Sequence, residues 1–220
     1  MLSRVFFPLA LVMTAAIVAG CGGRSSSSVG PALPGEPIIR VRVLKADDAL
    51  IFDRPDALRL GPLDRGSRRP VDAPIELVFR NDRWHVDGRA ELQWSGPLAV
   101  EDPDGEPLPL GDRLYPEKLV LVPRPDLPPG QAGRTRFDVV NHVHLEAYLP
   151  GVLDRELYPD WRATTFYAQA IAARSYAIHN LLHASADRHY DVESTQASQA
   201  YGGATDNLRA VQAVLETTGL

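Results

Sequence analysis

Two side chains in the last third of the chain have the type and setting to do chemistry. Glu156 stands among Leu153, Leu157, Tyr158 and Trp161. An apolar setting penalises the charged form of a carboxyl group and so favours the protonated acid that proton donation requires. Arg174 falls within Ala168–Ala177, AQAIAARSYA, where nearly every neighbour is apolar or small. A guanidinium there is costly unless it is paired or lines a cleft. Blander readings stand beside both. A Glu at a helix end before Pro is commonly solvated, and an Arg on an alanine-rich helix commonly makes a surface ion pair.

Two histidine pairs have spacings that metals use. His142 and His144 point to the same face of a strand, with no third ligand near in sequence. His179 and His183 are four apart on a helix, but Asn180 stands where an HExxH zinc helix has its Glu. Neither pair predicts a metal site, and no cofactor is expected.

The elements that must position Glu156 and Arg174 are helical. Arg162 to Ala184 carries an apolar stripe of Phe166, Ala170, Ala173, Ala177 and Leu181, flanked by Tyr167, Ile171, Ile178 and Leu182. Its small residues Ala168, Ala170, Ala172 and Ala173 let another element pack closely. Gly151 to Leu157 reads as a shorter helix with Pro150 in its first turn and Pro159 as its stop, which puts Glu156 at its end. Residues 187–203 are polar and turn-rich. Asp206 to Thr218 is a short amphipathic helix with Leu208, Val211, Val214 and Leu215 on one side and Gly219 as its C-cap.

Upstream the pattern is β. Ile38 to Leu44 alternates apolar residues with Arg40 and Arg42, and Ala49 to Phe52 is expected to pair with it. Ile75–Phe79 and Trp84–Val86 form a hairpin around Asn81-Asp82, and Ala90–Trp94 continues the β pattern. Asp102-Pro103-Asp104-Gly105 is a turn. Lys118–Val122 and Arg136–Val143 are strands on either side of a proline-rich loop over 123–133. The expected fold class is α+β, with a β-rich part over 38–135 and a helical part over 136–220.

The 220 residues are 45% hydrophobic, enough for a real core. The net charge of −5 argues against a nucleic-acid partner. The single cysteine excludes an internal disulfide. Its place is informative. Arg4 is followed by an apolar run from Val5 to Ala19, so residues 1–20 read as a secretory signal. Val18-Ala19-Gly20-Cys21 resembles a bacterial lipobox, which implies acylation of Cys21. Residues 21–37 then form a Ser/Gly/Pro tether. The expected address is the cell envelope, membrane-anchored through Cys21.

The segment from Val140 to Gly219 resembles the SpoIID/LytB family (stage II sporulation protein D and amidase-enhancer relatives). The resemblance rests on Asn141, Leu145-Glu146-Ala147-Tyr148-Leu149, Gly151-Val152-Leu153, Glu156-Leu157, Trp161, Ala168–Ala177, Tyr190-Asp191, Gln199-Ala200-Tyr201-Gly202 and Thr218-Gly219. It implies work on peptidoglycan: cleavage of glycan strands as a lytic transglycosylase, or, in a non-catalytic alternative, binding to peptidoglycan or activation of a cell-wall amidase. It implies Glu156 as catalytic acid and Arg174 as its companion, orienting Glu156 or binding glycan. Gln169, Gln199 and Tyr201 are expected sugar contacts. Tyr167 stands where many members have Lys. Val192 and Ser198 lie where some members carry zinc-binding cysteines, so no zinc is expected. The family domain continues past its Thr-x-Gly, so a C-terminally incomplete domain is expected, with apolar surface and sheet edges left uncovered.

Overall fold

The computed structural model describes residues 35–64, 67–124 and 136–220. The signal, Cys21 and most of the 123–133 loop lie outside the described residues. The β-rich part contributes β1 (Ile38–Ala46), β2 (Leu50–Phe52), β3 (Leu58–Pro62), β4 (Arg69–Val71), β5 (Ile75–Arg80), β6 (Arg83–Val86) and β7 (Arg89–Trp94). It continues with β8 (Leu98–Glu101), β9 (Leu108–Leu110), β10 (Arg113–Tyr115), β11 (Lys118–Pro123) and β12 (Phe137–His144). Three helices follow, α1 (Leu145–Glu156), α2 (Ala163–His183) and α3 (Leu208–Glu216), with a two-residue strand β13 (Val192–Glu193) before α3. The fold class is α+β, as the patterning predicts.

The main sheet has the order β13-β1-β12-β11-β8-β3-β4. Its register separates two faces. Val41, Asn141, Leu119, Val100 and Leu60 lie opposite one another across five strands, and all are buried. One residue along each strand, Arg40, His142, Lys118, Glu101 and Arg59 form a polar row on the other face. Side chains alternate across a strand, so this single register fixes which face receives the rest of the molecule. Trp84 packs edge-on against Phe137 at 4.9 Å, which brings the second sheet, β2-β5-β6-β7, against the apolar face. The helices meet the same face through Tyr201, whose hydroxyl donates to Asn141 Oδ1 at 2.9 Å.

The predicted hairpin is present, with Asn81 and Asp82 both left-handed at φ 49° and 59°. The turn at 102–105 is also present, closed by the Asp102 carboxylate on the Asp104 and Glu106 amides. Three expectations change. Residues 50–52 pair with β5, not β1, because β1 already lies between β13 and β12 and has no free edge. The first helix starts at Leu145, so Pro150 lies inside it rather than in its first turn. The early start is held by Pro37 O, which accepts from the Leu145 amide, and by Glu36, which accepts from the Glu146 amide. Finally, α3 buries Ala210, Ala213 and Val214, while Leu208 and Leu215 are 80% and 69% exposed. Small side chains let α3 close on α1 and α2. Among the described residues no helix is long and apolar enough to cross a membrane.

Candidate active site

Glu156 is the last residue of α1 and is half-buried. Gln169 of α2 donates its Nε2 hydrogen to Glu156 Oε2 at 2.5 Å, and the Ala200 amide also donates to the carboxylate. Both donors are neutral. Burial pushes the carboxyl pKa up, the two hydrogen bonds pull it partly back, and the result stays above the usual carboxylate range. Of the apolar neighbours read from sequence, Leu153 and Leu157 are buried, whereas Tyr158 and Trp161 are 65% and 42% exposed. The Arg209 guanidinium pins that exposed turn by donating to Pro159 O and Trp161 O.

The Ala200 amide is held in place from both sides. Gln199 is buried; its Oε1 accepts from the Tyr148 hydroxyl at 3.1 Å and its Nε2 donates to Ala173 O at 3.3 Å. Tyr201 is 1% exposed, and its ring packs 4.7 Å from Tyr148 and 5.9 Å from Tyr115. Burial raises both phenol pKa values, so the two hydroxyls remain donors. The Gly202 amide then donates to Gly151 O at 3.1 Å, and the Ala204 amide to Leu114 O at 2.7 Å. A Cβ on Gly151 would lie 2.0 Å from Gly203 O, and one on Gly203 would lie 2.2 Å from Leu114 O. Gly203 also has φ +85°. The two glycines are therefore a packing requirement: backbone meets backbone where the loop crosses α1.

Arg174 is 4% exposed and lies elsewhere on α2. It forms a bidentate pair with Glu146, Nε to Oε1 and Nη2 to Oε2, both at 2.8 Å. Its remaining bonds go to Val214 O at 3.2 Å and Thr217 Oγ1 at 3.3 Å. It thus ties the start of α1 to the end of α3. The expectation that Arg174 orients Glu156 is corrected: Gln169 has that contact, because Arg174 points into the three-helix junction. Gln199 and Tyr201 are likewise framework rather than exposed contacts, with their polar ends satisfied internally and no open aromatic face. Sequence reasoning gave no role of their own to Tyr148, Glu146 or the Ala200 amide. The signal was present in the motifs holding Tyr148 and Gln199-Ala200-Tyr201-Gly202, but nothing in one dimension joins them.

The histidine pairs have ordinary surroundings. Burial, aided by Lys118 and Arg40, lowers the His142 pKa to about 4. His144 Nδ1 sits 2.8 Å from Glu117 Oε1, and the His179 and His183 rings stack at 4.2 Å. Among the described residues no three His, Cys, Asp or Glu side chains gather as metal ligands.

Comparison with known proteins agrees with the residue pattern. Residues 133–220 match the SpoIID family, described as stage II sporulation protein. An uncharacterized protein of Brachyspira hyodysenteriae is 42% identical over 65 residues, which cover 30% of this chain and 18% of that protein. The chain therefore spans less than a fifth of the length of the curated relative that it matches. No solved structure matches. The motif order, the loop that carries them onto α1 and the family match converge on a SpoIID domain over residues 133–220.

Proposed function

We propose that this chain works on the bacterial cell wall and cleaves peptidoglycan glycan strands as a lytic transglycosylase, with Glu156 as the general acid. The SpoIID domain match over residues 133–220 supports cell-wall work. The observation that carries the finer reading is a half-buried carboxyl held only by neutral donors, Gln169 and the Ala200 amide, with its pKa raised by burial. Such a group holds a proton to higher pH and can release it to a leaving glycosidic oxygen. The substrate's own six-position hydroxyl then attacks the anomeric carbon, the glycosidic bond breaks, and the hydroxyl proton returns to Glu156. The product carries an anhydro-muramic end. No second carboxylate is needed to activate water, unlike the two-carboxylate arrangement of most glycosidases.

The test is incubation of the full chain with peptide-free glycan strands and mass spectrometry of the products. Anhydro-muramic ends are expected, and Glu156→Gln should lower their yield by about 100-fold or more. Undiminished product from Glu156→Gln overturns the assignment of the acid. Absence of product, together with equal stimulation of a cell-wall amidase by both forms, would establish the non-catalytic alternative. We place the protein at the envelope through acylation of Cys21, on the strength of the lipobox-like sequence. Cys21→Ser should move it from the membrane fraction to the soluble fraction; unchanged fractionation refutes the anchor.

A further inference from the structure

We propose that the groove between α2 and residues 188–198, on the same line of the helix as Gln169, is an oligosaccharide subsite with Tyr176 as its stacking platform. The proposal rests on the glycan-strand reading above. Gln169, Tyr176 and Asn180 are seven and four residues apart, so they lie along one line of α2 about 16 Å long. Gln169 binds Glu156 at one end of that line. At the other end a cleft of about 280 Å³ is lined by Tyr176, Asn180, Arg188, Glu193 and Ser198, among others. Between the two ends, the exposed side chain on this line is Ala172, and the facing loop carries Ala197, Ser198 and Ala200. Midway the loop touches α2, Gln199 Nε2 donating to Ala173 O at 3.3 Å, and these small side chains flank that contact. The loop wall is the same segment whose Ala200 amide reaches the acid.

The chemistry of the lining suits a sugar chain. Tyr176 is 39% exposed, with its hydroxyl 3.4 Å from Ser198 Oγ. Aromatic faces stack against the C–H faces of pyranose rings, while hydroxyls and amides bond the rim. Asn180 donates its amide hydrogen to Tyr176 O, which steadies both residues and leaves its amide oxygen as an acceptor. Arg188 lies 4.2 Å over the Tyr190 ring. The cleft's acidic groups are already matched: Asp191 is held by Arg40, and Glu193 by Arg42 and the Tyr190 hydroxyl. A glycan therefore meets no unpaired carboxylate there.

The probe is a peptide-free tetrasaccharide of alternating N-acetylglucosamine and N-acetylmuramic acid. Its binding to the full chain is measured by calorimetry in a Glu156→Gln background that prevents turnover. Tyr176→Ala should weaken binding about five- to tenfold, Tyr176→Phe should retain most of it, and Ile51→Ala, on the exposed edge of the second sheet, should leave it unchanged. Equal affinity of Tyr176→Ala and its parent overturns the groove while leaving the glycan reading intact. Equal loss in Tyr176→Phe and Tyr176→Ala overturns the stacking role. If the parent neither binds the tetrasaccharide nor, as wild type, cleaves strands, the substrate reading fails and the groove fails with it.

Discussion

The two ends of α1 carry the same side chain in opposite circumstances. At its start Glu146 is clamped by the Arg174 guanidinium at 2.8 Å on both oxygens. At its end Glu156 has only neutral donors, the Gln169 amide and the Ala200 N–H. The difference lies in the partner. A cation beside a carboxylate stabilises the charged form, whereas burial with neutral donors leaves room for the proton. One end of the helix therefore holds the three-helix junction together, and the other carries a carboxyl group whose pKa is raised, as the proposed acid requires. The conspicuous arginine belongs to the structural end.

Exchanging or removing the partners should separate the two ends. The largest expected effect is on stability. Arg174→Met removes the cation from a junction that buries it to 4% exposure, leaving the Glu146 carboxylate without its bidentate partner and Thr217 Oγ1 without its guanidinium donor. The cost should be about 2 to 3 kcal/mol, below the full value for breaking a buried pair because the Glu146 side chain keeps 25% exposure and can turn to water. Urea unfolding measures it. A loss no larger than that of Glu156→Gln would erase the distinction between the two ends.

A smaller effect sharpens the other end. Gln169→Leu removes a hydrogen bond that favours the charged carboxylate, so the Glu156 pKa should rise further and the alkaline limb of the pH–rate profile should move upward. Stability follows the same sign. A carboxyl group whose folded pKa lies above its unfolded value contributes stability that is fully present below the unfolded value. That contribution is lost as pH rises through the folded pKa. In Gln169→Leu the loss should therefore begin at the same pH, set by the unfolded value, but be larger and continue to higher pH than in the wild type, readable from unfolding midpoints between about pH 4 and about pH 8. A downward move of the rate profile would show that Gln169 does not act on Glu156 as the hydrogen bond implies.

Much of this was legible in the chain. The alternation in Ile38–Leu44, the Asn81-Asp82 hairpin and the Arg162–Ala184 helix follow from local periodicity and turn chemistry, and each is present. The short strands β3, β4, β9 and β10 were not legible, because each spans only three to five residues and three of the four contain proline. They exist only through their pairing partners. The helix start at Leu145 was hidden in the same way. It needs Pro37 O and the Glu36 carboxylate, more than a hundred residues upstream, to satisfy its first amides.

The site divides along the same line. Sequence alone determined which residue types were available: an acid at a helix end, an arginine that had to be paired or line a cleft, and glycines at 151, 202 and 203. Only the tertiary structure decided the pairing. It gave Arg174 to Glu146, turned Gln199 and Tyr201 inward as supports, and set Gly151 against Gly203 so that the Ala200 amide could reach Glu156. The reason is physical. Propensity and periodicity act over a few residues, whereas the proton affinity of a carboxyl group depends on what lies within a few ångströms of it. Here that includes Ala200, forty-four positions further along the chain.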